Sequence, residues 1–359
     1  MELRSLLHAN IQGKTILYRS PYDIDTELIN GEYVVKDTSR IEVTIPTLKY
    51  LLEKNCKIVI LTWAGRPSGV DESLSTKPHA KALSDLLGVK VSHINDCVGE
   101  KVEESIRAMN PKDILMLENT RFYKEDSENS MEFAQALTNG SEVIVFDAFP
   151  QAHRNSASVT GIMDFLPSYA GFYVENEVNG LTKLLNNVMH PYTIVFGGDK
   201  IAEKVDEMEN LDKTSDMILV GGNVNSARTQ LSELKSKLDS SKIIVPEKDD
   251  MVDGFDISNE LTEKYVEIIR KSKTVFWAGP LGKYEDEKYS NGTKKIVEAV
   301  CKVKSNGGFS VVAGGDTVAA LNKFGKKEDV SYISLAGGAT LEFLAGKKLP
   351  AIEKLCTHQ

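Results

Sequence analysis

The chain has 359 residues, of which 41% are hydrophobic and 26% charged, with a formal net charge of −9. That length allows two domains that each bury their own core, and the composition is that of a soluble globular chain rather than a disordered or membrane-spanning one. The acidic balance argues against nucleic acid or a membrane surface as a general partner, because both are anionic.

No run approaches the roughly 18 apolar residues that a membrane span needs, and the opening MELRSLLHANIQGK has early charge and no long apolar core, so no secretory signal is expected. Cys56, Cys97, Cys301 and Cys356 are far apart and form no C-x-x-C. Free thiols in a reducing cytoplasm are the expectation.

In chain order, short apolar runs alternate with segments of helical periodicity, the pattern of a parallel sheet wound with helices. The first expected strand, TILYR, ends in Arg19 and is followed by Ser20, Pro21, Tyr22 and Asp23. A proline there stops the ladder and leaves its neighbours at the sheet edge where ligands of α/β proteins bind. CKIVILTW, VKVSHI, DILMLEN and EVIVFDAF follow as strands, with helices such as IPTLKYLLEKN and SMEFAQALTNG between them. The stretch at 171–187, GFYVENEVNGLTKLLNN, reads as one long helix joining two halves. Beyond it come the strands PYTIVFGG, DMILVGG, KIIVPE, KTVFWAGP, GFSVVAGGD and YISLAGG, with helices ELTEKYVEIIRKS and GTKKIVEAVCKV among them.

Two residue types divide unequally between the halves. Of nine arginines, seven lie in the first 154 residues, and Arg19, Arg66, Arg121 and Arg154 each stand at or just after a strand end. Parallel strands deliver those ends to one edge, so the four can converge on an anionic substrate, most simply one carrying phosphate. All five Gly-Gly pairs come after residue 190, and four directly follow an apolar strand. Such turns let backbone N–H groups approach phosphates and open helices whose positive ends face an anion, although tight packing turns use glycine too. VVAGGDTVAALNKF fits best, with Gly314 and Gly315 followed by Asp316 and Thr317 at a helix start. In GGDKIAEK, Lys200 and Lys204 are four apart, on one face if a helix begins there. The chain carries neither a G-x-x-x-x-G-K-[ST] loop nor a G-x-G-x-x-G opening a Rossmann unit. An arginine cluster on one domain and a glycine-lined phosphate cradle on the other are what phosphoryl transfer needs, with Mg²⁺.

With these residues assembled, the chain resembles the phosphoglycerate kinase family over nearly its whole length. The matching blocks run in the family's order: SRIEVTIPTLKYLLEKNCKIVILTWAGRPSG, ILMLENTRFYKE, FDAFPQAHRNSAS, GGDKIAEK, WAGPLGKYE, VAGGDT and SLAGGATLEFLAGKKLP. The resemblance implies two doubly wound α/β domains joined by an interdomain helix: an acid-substrate domain over 1–170, the helix over 171–187, a nucleotide domain over 188–348, and a tail, 349–359, returning to the first domain. It implies reversible transfer of the γ-phosphoryl group of MgATP to the carboxylate of 3-phosphoglycerate, with hinge closure, in a cytoplasmic monomer. Arg66, Arg121 and Arg154, with Arg19 nearby, match the basic patch for the substrate phosphate, and Arg40 matches the arginine that stabilises the transferring group. Lys200 and Lys204 match the nucleotide-phosphate lysines and Glu285 the ribose-binding carboxylate. Asp316 and Thr317 match the pair beside Mg²⁺ and the phosphates, with Asp316 as the metal ligand, and Gly337 and Gly338 the second glycine turn.

The departures from the family pattern concentrate where the substrate is read. Its R-V-D-F-N becomes Arg19-Ser20-Pro21-Tyr22-Asp23, and its H-L-G-R-P becomes Trp63-Ala64-Gly65-Arg66-Pro67. Pro150, Gln151 and Ser156 replace Gly, Thr and a second histidine. Asp23 and Trp63 therefore take substrate-binding slots, and three readings stand: a divergent 3-phosphoglycerate kinase, the same acyl-phosphate chemistry on another phosphorylated carboxylate, or a non-catalytic nucleotide-binding relative. Asp199 replaces a small residue of G-G-A-K, and an acid near the base can accept hydrogen bonds from guanine, so GTP stands beside ATP.

Overall fold

The run Thr15–Arg19 (β1) forms a strand buried at every position, as strands with both faces covered must be. The computed structural model describes residues 2–186, 188–239 and 241–357. It separates into two units, Met1–Val178 with Lys348–Gln359, and Asn179–Lys347. In the first, Thr26–Ile29 (β2) and Glu32–Val35 (β3) form a hairpin, and the sheet continues with Lys57–Leu61 (β4), Val91–His93 (β5), Ile114–Met116 (β6), Val143–Phe146 (β7) and Ser168–Ala170 (β8). The six sheet strands are all parallel, in the order β5-β6-β4-β1-β7-β8. Side-chain alternation splits the core between the faces: Ile16, Tyr18, Ile58 and Ile60 pack on one side, Leu17, Val59, Leu61 and Ile144 on the other.

The second unit repeats the architecture with Tyr192–Phe196 (β9), Met217–Val220 (β10), Ile243–Ile244 (β11), the hairpin strands Met251–Val252 (β12) and Asp256–Ile257 (β13), then Thr274–Ala278 (β14), Phe309–Ala313 (β15) and Tyr332–Ser334 (β16). Its sheet order is β11-β10-β9-β14-β15-β16, again all parallel. The helix Asn259–Lys271 shows why the covering helices form. Ser258 caps it by accepting the Leu261 N–H, Glu260 sits in its first turn and Arg270 and Lys271 in its last, and Leu261, Tyr265, Val266 and Ile269 face the core.

Each sheet has one switch point. From β1 the chain winds toward β4 and from β7 toward β8; from β9 it winds toward β10 and from β14 toward β15. The crevices outside the C-terminal ends of β1/β7 and of β9/β14 are where ligands of such sheets bind.

Three elements were not expected. The two hairpins turn on Asn30-Gly31 and Asp253-Gly254, all four at positive φ, dipeptides that favour such turns; the first loop has two residues, and the second has three, with Phe255 as the third. β8 is three residues long and lacks an apolar run. The joining helix spans Phe172–Thr182, shorter than the 171–187 expected, and Asn187 lies outside the described residues.

The helix Pro350–Leu355 buries Ala351, Ile352 and Leu355. Its neighbourhood is held by Arg4 N–H to Leu355 O at 2.8 Å and Ala351 N–H to Ala152 O at 3.1 Å. Leu355→Ala should destabilise the first unit by about 2–5 kcal/mol, read as a lower urea midpoint; an unchanged midpoint would show that the tail adds nothing to that unit.

Candidate active site

At the β1 and β4 ends of the first sheet, short contacts tie three loops together. The Asp23 carboxylate accepts the Gly65 N–H at 2.9 Å and pairs with Arg121 at 3.7 Å. Arg121 also donates to Gly65 O at 2.6 Å. Arg40, in the short helix Ser39–Glu42, donates to Asp23 O at 2.5 Å. Arg66 and Arg154 are exposed. Burial lowers the Arg121 pKa, and the positive charges of Arg154 and Arg66 lower it further, while Asp23 and Asp126 oppose the change. The arginines at 40, 66, 121 and 154 therefore share one edge with Asp23.

Arg19 and Trp63 do not stand where substrate-binding residues would. Arg19 is fully buried, donating to Ser158 O at 3.1 Å and to Ser20 O. Burial lowers its pKa to about 10, with Asp126 opposing the shift. Trp63 is 3% exposed. Both lie beneath the edge rather than on it: Arg19 ends a strand buried at every position, and Trp63 is held inward by its Nε1–H bonds to Asp126 and Ser158. Asp126 and Ser158, which hold this layer, were not singled out from the sequence, although Ser158 ends the matching block FDAFPQAHRNSAS.

In the second unit, a cavity of about 470 Å³ is lined by Gly198, Asp199, Gly222, Asn223, Phe255, Lys283, Glu285 and Asp316, among others. The glycine turns of this unit do two different jobs. A Cβ on Gly197 would lie 2.2 Å from Pro280 O, and one on Gly279 2.2 Å from Gly197 O, so these two exist to let backbone pack on backbone at the β9/β14 switch point. Gly315, Gly337 and Gly338 have no atom within 4 Å of that position and Gly314 only Thr317 Oγ1 at 3.6 Å, leaving space for a ligand. Gly314 precedes the helix Gly315–Phe324, whose first turn carries Asp316. That helix end faces an anion favourably.

Lys204 reaches the same switch point, donating to Gly197 O at 2.7 Å and Ala278 O at 3.3 Å. Burial lowers its ammonium to about 8, while Asp316 and Glu203 pull the other way. Lys200 is exposed and lies before the 3-10 helix Ile201–Lys204, so the expected shared α-helical face does not form. Thr317 also departs from expectation. Its buried hydroxyl donates to Ala313 O at 2.7 Å and accepts the Gly279 N–H at 2.7 Å, which leaves it bracing the loop rather than facing the cavity. Glu285 and Asp316 are exposed at the cavity. Phe255 was missed; the D-G dipeptide that makes its hairpin was the available signal.

Among the described residues, no three His, Cys, Asp or Glu are grouped to hold a metal ion. Asp316 alone fits the kind of Mg²⁺ site in which one or two carboxylates join phosphate oxygens and water. Among the described residues, no helix is long and apolar enough to cross a membrane.

A family model described as phosphoglycerate kinase matches residues 6–251 and 224–347. The phosphoglycerate kinase of Dictyoglomus turgidum is 35% identical over 389 aligned positions, covering 96% of each chain. The cytosolic phosphoglycerate kinase of Triticum aestivum is 34% identical, covering 97% of this chain and 96% of its own. Among solved structures, that of phosphoglycerate kinase from Coxiella burnetii superposes with a TM-score of 0.80 at 30% identity, covering 98% of both chains. That from Pyrococcus horikoshii gives 0.84 at 27%, covering 99% of this chain and 98% of its own. The 389 aligned positions exceed the 359 residues present, so that relative carries residues without a counterpart here. The two family-model stretches overlap at 224–251, which contains the two-residue β11.

The Lys204 ammonium has a testable signature. With its pKa near 8 in the folded chain, against about 10.4 when unfolded, the amine loses its charge over a window where the unfolded chain still holds the proton. Stability from this group therefore rises with pH through that window. Affinity for ATP, measured by calorimetry, should fall over the same range, and Lys204→Arg should abolish the fall; an identical pH profile in the variant would assign it to another group.

Proposed function

Since the chain belongs to the phosphoglycerate kinase family, we propose that its two units divide that family's reaction, the acid substrate on the first and the nucleotide on the second. The reaction is reversible transfer of the ATP γ-phosphoryl group to the carboxylate of 3-phosphoglycerate, which gives an acyl phosphate. On the first unit, Arg66, Arg121 and Arg154 take the substrate phosphate. Asp23, paired with Arg121, sets that guanidinium's direction. Arg40 serves the transferring phosphoryl group, where charge spread over the equatorial oxygens makes a guanidinium most effective. The observation that carries the reading is the convergence of cations around Arg121, whose mutual repulsion an anion relieves.

On the second unit, the open turns at Gly314–Gly315 and Gly337–Gly338 receive the nucleotide phosphates through backbone N–H groups. Lys204 supplies positive charge beside them, Lys200 adds charge at the rim, and Glu285 accepts the ribose hydroxyls. Asp316 would hold Mg²⁺, which when bound neutralises phosphate charge. Thr317 keeps the glycine loop in register through its bond to Gly279. Asp199 lines the cavity, and a guanine partner for it would place GTP beside ATP as donor. Domain closure brings donor to acceptor. The protein is proposed to work as a cytoplasmic monomer, a setting its free cysteines suit.

A coupled assay with MgATP and 3-phosphoglycerate tests the assignment. Turnover should fall in the ordinary range of about 1–1,000 s⁻¹. Its absence, with turnover of another phosphorylated acid instead, would move the substrate; no acyl phosphate from any acid despite ATP binding would remove the enzyme.

Arg40→Ala should lower kcat by roughly 100-fold or more while changing either KM far less. A rise in KM at unchanged kcat would make Arg40 a binding group instead.

A further inference from the structure

The layer beneath the arginine edge is built around one indole. Trp63 Nε1–H donates to Asp126 Oδ2 at 2.8 Å and to Ser158 Oγ at 3.1 Å. The fully buried Asp126 carboxylate also accepts Thr120 Oγ1–H at 2.6 Å, Ser158 Oγ–H at 3.0 Å and Ser158 N–H at 2.8 Å. A carboxylate held by so many donors is fixed in place, and it fixes the plane of the indole that bonds to it.

Two guanidinium groups use that ring. The Arg121 carbon lies 3.8 Å from the ring centroid and the Arg19 carbon 4.6 Å. Arg19 never reaches the surface, and its Nη2 has no hydrogen-bond partner. Its charge is balanced by Asp126 and by the ring face. Arg121 is half-buried at the edge, where Arg66 and Arg154 repel it.

We propose that Trp63 is a positioning residue for Arg121: the indole, locked by Asp126 and Ser158 and backed by Arg19, holds the Arg121 guanidinium in its phosphate-binding pose against the repulsion of its neighbours. This rests on the reading that Arg121 grips the phosphate of the acid substrate. Trp63 then touches no substrate atom, and the ring matters through its face. Where the family pattern has a histidine able to reach the substrate, this chain uses the position to organise an arginine.

Kinetics of Trp63→Leu and Trp63→Phe, with 3-phosphoglycerate and MgATP varied separately, test it. A cation–π contact partly out of water corresponds to roughly three- to thirtyfold in binding. Trp63→Leu should raise KM for 3-phosphoglycerate within that range and leave KM for MgATP unchanged, and Trp63→Phe, which keeps a ring, should shift it less. A merely structural role would move both constants or neither, and either result overturns the proposal. Tryptophan emission gives a second readout that needs no Leu variant, because the other tryptophan, Trp277, is fully buried in the second unit. Titrating the unaltered protein with 3-phosphoglycerate should change emission, and the change should vanish in Trp63→Phe. Emission that answers inorganic phosphate but not 3-phosphoglycerate would sustain the role of Trp63 and overturn the substrate reading. Emission that answers neither would overturn the role of Trp63.

Discussion

In a parallel sheet every strand leaves by the same edge, and the connections diverge at one switch point, opening a crevice there. Both sheets of this protein obey that constraint, and the groups able to act on a ligand hang from it. At the C-terminal edge of the first sheet, Asp23 lies in the loop after β1 and Arg66 in the loop after β4, and Asp23 ties the two loops together through the Gly65 N–H. At the second, Gly197 follows β9 and Gly279 follows β14, so close that neither tolerates a Cβ. Lys204 bridges the carbonyls of Gly197 and Ala278 on those two strand ends. The chemistry is thus carried by loops, and its precision comes from strands that are buried on both faces.

Charge is handled differently in the two units. The first gathers arginines, whose planar forks suit phosphate and carboxylate and which stay charged when partly buried. The cost of crowding them is met from below by Asp126 and the Trp63 face, and on the edge itself by Asp23. The second unit has open glycine turns and a buried lysine, Lys204, instead. A lysine is the residue whose charge burial can weaken, which is why Lys204 titrates low while standing beside Asp316.

The glycine pairs show why a motif can be right in kind and divided in purpose. Five pairs after residue 190 suggested phosphate cradles. Some of those glycines admit backbone packing at the switch point, others leave open space before a helix, and the sequence spelling of the two is the same. Only the neighbour that a Cβ would strike separates them. Thr317 follows the same logic: in GGDT it reads as a ligand for phosphate or metal, yet its hydroxyl closes a contact with Gly279, a residue 38 positions away.

The sequence by itself determined the fold class, the parallel strands, the order of the motifs and the residue types at the site, because apolar periodicity and strand-end chemistry are local properties of the chain. It also carried the N-G and D-G turns of both hairpins. Which side chains face a ligand was decided by tertiary structure. Arg19, Trp63 and Thr317 were legible as site residues, but their burial depends on partners distant in sequence, Asp126 and Ser158 for the first two and Gly279 for the third. A hydrogen bond across such distances leaves no periodic trace, so the layer that supports the arginine edge emerges only once the sheet has assembled it.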